Sequence, residues 1–207
     1  MARPDGRVKR ARQAGRASAS SPDGDGSAAQ PQGRAGLIVD RDGTVIEDRG
    51  YVSSTDQMVL LPGVVDALAQ ARKAGVVVVL ATNQAAIGRG IVSESTVTAL
   101  HEWLGTQVEL DAVYFCPHHP DDRCACRKPM PGLLERAITD LDLDRARTVF
   151  VGDKVSDCQA GRAAGVDVVL VRTGHGAAEE AAAVAEGFDV VDDLPAAVHA
   201  YLARLEP

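Results

Sequence analysis

Aromatic side chains are scarce: one Trp, three Tyr and three Phe make up 3% of 207 residues. A core must therefore be built from Val, Leu and Ala, and the 45% hydrophobic content supplies enough of them. No stretch approaches the ~20 consecutive apolar residues that a membrane-spanning helix needs. The N-terminus has no apolar run of the kind a secretory leader carries. Cysteine is sparse too, at four residues, yet three of them (Cys116, Cys124 and Cys126) fall within eleven positions. That clustering suits a metal better than a disulfide framework. These features lead us to expect a cytoplasmic protein with no membrane partner. Positive charge is also short: the formal net charge of -7 argues against a general nucleic-acid binder. It is unevenly placed, with +4 on residues 1–34 and -11 on the remainder. An acidic body that handles an anion must concentrate its few cations, or a metal, at one site.

The length fits one domain plus a tail. Residues 1–34 are rich in Arg, Gly, Ser, Pro and Ala without periodicity, and are expected to be a disordered basic tail. They read equally well as a weak contact arm or as an over-long start to the coding sequence. Residues 35–207 carry an alternation of strands and helices. Leu37-Ile38-Val39 is a short strand, and 64–74 reads as a helix between Pro62 and Gly75. The run 76–80 is β-branched and buried in character. Further strands are expected at 112–115, 148–151 and 167–171, and helices at 94–107, 132–140, 157–164, 177–186 and 194–205. Such alternation predicts an α/β fold: a doubly wound parallel sheet with helices on both faces. Ligands then bind outside the carboxyl ends of the strands.

The strand ends hold the chemistry. The first is followed by Asp40-Arg41-Asp42-Gly43-Thr44, the second by Thr82-Asn83-Gln84, and the fourth by Gly152-Asp153. A parallel sheet brings Asp40, Asp42 and Asp153 to one edge, beside a hydroxyl and an amide. Like carboxylates repel, so a cation must hold them together, and oxygen ligands suit Mg²⁺. A carboxylate so placed can attack phosphorus covalently. Asp42, two residues on, can protonate the leaving oxygen and later deprotonate water. Thr82 and nearby N–H groups can bind phosphoryl oxygens, and Lys128 can neutralise charge. Asp-x-Asp at a strand end is often only a turn or cap. Four such elements in order are much harder to obtain by accident.

Val39-Asp40-Arg41-Asp42-Gly43-Thr44, Thr82-Asn83-Gln84, Cys126-Arg127-Lys128-Pro129 and Gly152-Asp153-Lys154 resemble the four motifs of the haloacid dehalogenase superfamily. The resemblance covers nearly all of residues 36–205. It implies a phosphatase with Asp40 as nucleophile and Asp42 as general acid/base. Mg²⁺ would be held by Asp40, the Asp42 carbonyl and Asp153, and the phosphoryl group by Thr82 and Lys128. It further implies that Arg127 recognises substrate, that Asp48, Arg49, Gly50, Tyr51, Asn83, Gln84 and Ala85 line the substrate site, and that Lys154 contacts substrate. Gly50-Tyr51-Val52, Ile87-Gly88-Arg89-Gly90 and Val171-Arg172-Thr173-Gly174 are similar to the branch that removes the C7 phosphate of heptose 1,7-bisphosphate. Only about twenty residues separate Thr44 from the next helix, too few for a separate lid domain, so a minimal cap is expected.

Cys116-Pro117-His118 and Cys124-Ala125-Cys126 offer three thiolates and one imidazole, a closed set for structural Zn²⁺. This staple leads directly into Arg127-Lys128. Its short gap between His118 and Cys124 resembles the related histidinol-phosphate phosphatases, which stand as the alternative enzyme. A zinc-stapled phosphate-binding module without turnover is the alternative of another class, and the proton donor at Asp42 speaks against it. Asp157 is expected to support the metal indirectly or to cap its helix. His101 and Trp103 are expected to pack against the core, and Cys158 to be a small buried residue. The expected partner is a small sugar phosphate, and the expected state a monomer.

Overall fold

The computed structural model describes residues 6–9 and 33–205. The strands are β1 (Gly6–Lys9), β2 (Arg34–Val39), β3 (Val77–Asn83), β4 (Ala112–Cys116), β5 (Leu143–Gly152), β6 (Asp167–Val171) and β7 (Asp189–Val191), and apolar runs rich in Val build β2 to β6. They form one sheet in the order β1-β4-β3-β2-β5-β6-β7. β1 runs antiparallel to β4, and every other neighbouring pair is parallel.

Successive side chains of a strand point to opposite faces, and the two faces are both covered. Leu37, Val39, Val78 and Leu80 enter one core with Val113, Phe115, Val149 and Val151. Ile38, Val77, Val79 and Ala81 enter the other with Tyr114 and Phe150. The first core is roofed by α1 (Val64–Lys73), α3 (Glu94–Gln107) and α7 (Leu194–Leu205). The second lies under α4 (Gly132–Leu141) and α5 (Val155–Ala163). In α1, Val64, Ala67, Leu68 and Ala71 are buried, and in α7 Leu194, Ala197, Val198 and Tyr201. Both sets follow the i, i+3, i+4, i+7 stripe of an amphipathic helix. Ser93 caps α3 by accepting the Thr96 N–H at 3.1 Å. The doubly wound α/β sheet expected from the alternation is the fold observed.

Several details differ from the sequence reading. β3 runs on to Asn83, so Thr82 is a strand residue rather than a loop residue. α5 begins at Val155, because Lys154 takes the cap position and its N–H is accepted by Asp157 Oδ2 at 3.1 Å. A single turn of helix, α2 (Ala85–Gly88), and the short edge strand β7 were not anticipated. Helix α6 (Gly176–Ala185) starts one residue earlier than expected. The expected disordered tail falls largely outside the described residues, but Gly6–Lys9 is a strand and Arg34 already belongs to β2. Between Thr44 and α1 there is one short 3₁₀ turn, Thr55–Gln57, and no cap domain among the described residues. Among those residues no helix is long and apolar enough to cross a membrane.

Leu80 is fully buried at the centre of β3. Leu80→Ala should destabilise the protein by about 2–5 kcal/mol, read as a lower urea midpoint with an unchanged slope.

Candidate active site

The parallel sheet delivers three strand ends to one edge. β2 lies between β3 and β5, with Val39 in register with Leu80 and Val151. The next residue, Asp40, donates its N–H to Val151 O at 2.9 Å and remains buried. An open pocket of about 500 Å³ sits above. Asp40, Asp42, Thr82 and Lys128 line it, as do Asp48, Gly50, Tyr51, Asn83, Gln84, Ala85, Arg127 and Lys154. Of the residues expected to bind substrate, Arg49 alone is absent from the lining. Its exposed guanidinium pairs with Glu47 at 2.7 Å instead.

The turn after β2 is tightly wound. The Arg41 carbonyl accepts from Val45 N at 2.9 Å and Ile46 N at 3.0 Å. Two glycines then close on Asp153. A Cβ on Gly43 (φ +84) would stand 2.2 Å from Asp153 Oδ2, and one on Gly174 (φ +57) 2.3 Å from it. Both positive φ and close approach demand glycine here. Thr173 Oγ1 donates to Gly43 O at 2.6 Å, locking the two turns together.

Lys128 is the hub. Its Nζ stands 2.8 Å from Asp40 Oδ1 and 2.6 Å from Asp157 Oδ1, and donates to Ala81 O at 3.0 Å. Burial opposes its charge, but Asp157 and Asp40 outweigh burial and raise its pKa. Asn83 fixes the backbone that carries this lysine: Nδ2 donates to Lys128 O and Oδ1 accepts Lys128 N–H, both at 3.1 Å. The Asn83 amide is thus occupied in holding the loop. Gln84 faces Asp42 Oδ2 at 3.2 Å and Thr82 Oγ1 at 3.0 Å through Nε2.

A cation fits among the carboxylates. Asp40, Asp153 and Asp157 each offer an oxygen, all within 4.8 Å of one another. Asp153 Oδ1 is buried without a hydrogen-bond partner, which is costly unless a further ligand satisfies it, and Asp40 Oδ1 has the Lys128 ammonium beside it. Burial first, then the Asp40 carboxylate, pushes Asp153 up to about 7. An all-oxygen set of this charge suits Mg²⁺. Asp157 has both oxygens engaged, Oδ1 by Lys128 and Oδ2 by the Lys154 N–H, so it fits the supporting role expected of it. The Asp42 carboxyl is taken up by Arg41 and Gln84.

The cysteine cluster also assembles. Cys116 Sγ lies 3.4 Å from His118 Nδ1 and 3.5 Å from Cys124 Sγ, and Cys126 Sγ lies 3.2 Å from His118 Nδ1 and 3.5 Å from Cys124 Sγ. Tetrahedral zinc with its usual bond lengths separates S and N ligands by about 3.4–3.8 Å, so this set could hold zinc with little adjustment. The Cys126 contact, against the effect of burial, holds the Cys116 thiol down to about 5, which favours the thiolate a metal needs. Gly88 of α2 packs so closely on this loop that a Cβ would meet His119 N at 2.2 Å.

On the rim, Asp48 Oδ2 joins Lys154 Nζ at 3.2 Å and His175 Nε2 at 3.0 Å. Burial works against its charge, but the Gly50 N–H and Lys154 hold Asp48 below the usual carboxylate range. His175 also donates its backbone N–H to Asp153 Oδ2 at 2.8 Å. Arg127 Nη1 is buried without a hydrogen-bond partner, a donor left for an anion. His175, Arg89, Pro120 and Ser156 line the pocket without having been singled out from sequence. Arg89 sits in a segment quoted above for its resemblance, the one signal that could have found it.

A mostly parallel α/β sheet with buried carboxylates at its C-terminal edge, a lysine between them and no lid domain among the described residues defines a phosphohydrolase of the haloacid dehalogenase type. Residues 125–197 match the HAD-hydrolase-like family model. The chain is 42% identical to the D-glycero-beta-D-manno-heptose-1,7-bisphosphate 7-phosphatase of Yersinia pestis, across 79% of this chain and 95% of that protein. It is 40% identical to the protein of the same name from Escherichia coli (strain K12), across 78% of this chain and 92% of that one. The crystal structure of D,D-heptose 1,7-bisphosphate phosphatase from B. bronchiseptica, complexed with magnesium and phosphate, matches with a TM-score of 0.77 at 38% identity, covering 82% of this chain and 99% of that one. The chain belongs to the D-glycero-D-manno-heptose 1,7-bisphosphate 7-phosphatase family.

Two outcomes follow from the metal geometry. Without metal, Asp153 holds a proton up to about pH 7, whereas an unfolded Asp releases it near about pH 3.9. Its contribution to stability is therefore present below the unfolded value and lost as pH rises through the folded one. Mg²⁺ binds the ionised form, so it should raise Tm more at about pH 8 than at about pH 5.5; equal shifts in thermal melts would remove Asp153 from the cation site. Elemental analysis of folded protein should find about one zinc per chain, lost in Cys126→Ser together with activity.

Proposed function

We propose that the chain hydrolyses the C7 phosphate of D-glycero-D-manno-heptose 1,7-bisphosphate, in the β-anomeric form for which its relatives are named. The observation that carries this reading is that Asp40 shares one pocket with Asp42, Lys128 and Thr82, in a chain whose relatives bear that activity in their names. We place the activity in residues 35–207, with Gly6–Lys9 adding an edge strand to their sheet. A reducing compartment keeps the thiolates available to zinc, so the enzyme is assigned to the cytoplasm.

Asp40 attacks phosphorus: a bond from its carboxylate oxygen to phosphorus forms as the bond from phosphorus to the C7 oxygen breaks. Asp42 delivers its proton to that oxygen, which leaves as a hydroxyl. Asp42, now ionised, takes a proton from a water whose oxygen attacks the aspartyl-phosphate. The bond from phosphorus to Asp40 breaks, inorganic phosphate departs and Asp42 is again protonated. Lys128 and Thr82 stabilise the charge on the transferring group. Asp40, Asp153 and the Asp42 carbonyl would hold Mg²⁺, which would supply the positive charge that lets a phosphate approach this acidic floor. Arg127, with its unpartnered buried donor, suits the second anionic group of a bisphosphate. Lys154 and Asp48 form the polar wall against the sugar, beside Tyr51.

Asp40→Asn should lower kcat/KM by more than about a thousandfold. Steady-state kinetics should rank heptose 1,7-bisphosphate above histidinol phosphate, a comparison made pertinent by the short gap between His118 and Cys124. The reverse ranking would overturn the substrate assignment, and full activity in the Asp40 variant would overturn the mechanism.

A further inference from the structure

Asp42 has to present a proton at one point in space, and its surroundings are unusual for that task. Arg41, between the two motif aspartates, is among the largest fully buried side chains. It turns back onto its neighbour: Nε donates to Asp42 Oδ1 at 3.1 Å, and Nη2 to Oδ1 at 2.9 Å and Oδ2 at 3.0 Å. The remaining arm, Nη1, lies 3.2 Å from His101 Nε2. His101 comes from α3, on the face where Val97, Leu100 and Leu104 are buried, and is itself 1% exposed.

The proton arrangement at this contact is forced. A guanidinium has donors and no acceptor, so His101 Nε2 must be the acceptor and the imidazole must be neutral with its hydrogen on Nδ1. Burial, reinforced by the Arg41 charge, keeps His101 well below its usual pKa. Nδ1 is buried without a partner, and the ring tilts against Phe115 with centroids 5.3 Å apart. A leucine would fill this apolar site without leaving an unpaired N–H. The polar ring makes sense through the one bond it does make.

We propose that Arg41 and His101 are positioning residues that aim the Asp42 carboxyl at the leaving oxygen. His101 holds the guanidinium by its outer arm, so the other two nitrogens grip Asp42 in a fixed plane. Oδ1 receives two of these bonds and serves as the anchor. Oδ2 receives one of them, from Nη2, and accepts from Gln84 Nε2 at 3.2 Å. A carboxyl free to rotate would spend only part of its time in reach. The inference rests on the reading of Asp42 as general acid.

Leaving-group chemistry tests it. The C7 alkoxide needs a proton as it departs, whereas nitrophenolate leaves without one. kcat/KM reports the steps through phosphoryl transfer and not the later hydrolysis. His101→Phe keeps a ring and removes the acceptor; His101→Gln restores one. We expect His101→Phe to lose roughly tenfold or more in kcat/KM on heptose bisphosphate but to stay within about threefold on p-nitrophenyl phosphate, with His101→Gln recovering most of the loss. A merely structural role predicts equal losses on the two substrates, and that result, or no loss at all, would overturn the proposal. If His101→Phe does not yield folded protein, Arg41→Lys poses the same question. Lysine keeps the charge but cannot span Asp42 and His101, so the same split is expected, and its absence counts equally against us. Asp42→Asn is the control. If that variant shows no leaving-group dependence, the general-acid reading fails; if it does and the His101 and Arg41 variants do not, only the positioning role fails.

Discussion

Crowding of negative charge at one sheet edge is the constraint around which this protein is organised. Asp40, Asp153 and Asp157 bring oxygens within 4.8 Å of one another, all buried. Such a cluster is stable only if positive charge enters it. Lys128 supplies one charge, from a loop rather than from the sheet, and reaches both Asp40 and Asp157. A divalent cation suits the Asp153 oxygen that remains without a partner. The parallel sheet exists, in functional terms, to make this repulsive arrangement geometrically unavoidable.

Everything that positions Lys128 therefore matters to the carboxylates. Its backbone is held by Asn83 at the end of β3, and its chain neighbours lead back to the Cys/His cluster at the end of β4. The Gln84 N–H donates to Cys116 O at 2.8 Å, tying those two strand ends together. The Cys/His loop and the carboxylate edge are one connected body. Zinc in that loop would remove conformational freedom from the residues that carry Arg127 and Lys128, whose entropy of ordering the enzyme would otherwise meet at each encounter with substrate.

Much of this could be seen in the sequence because strand-end chemistry is local. Asp40, Asp42, Thr82 and Asp153 each follow, or close, an apolar β-branched run, and a parallel sheet must bring those ends together. The Cys/His cluster was legible from residue type and spacing alone. What escaped was non-local. Arg49 neighbours true lining residues but turns outward to Glu47; chain proximity does not fix side-chain direction in a loop. Asn83 lines the pocket, but the hold of its amide on a loop forty-five positions away has no local trace. His101 looked like a core histidine on a helix, and its contact with Arg41, sixty positions off, has no trace in local pattern. β7 is three residues long and only partly buried, too short for alternation to register.

The Asp48–Lys154–His175 cluster joins the loop after β2 to the two turns that flank the Asp153 carboxylate. It lies on the rim, while Asp40 and Lys128 lie on the floor. That separation has an evolutionary consequence. Rim side chains other than Lys154, whose charge is felt at Asp153 and Asp40, can be exchanged to alter which sugar is admitted while leaving the floor in place. Ancestral and descendant enzymes of this architecture can thus diverge in diet while inheriting one unaltered reaction centre.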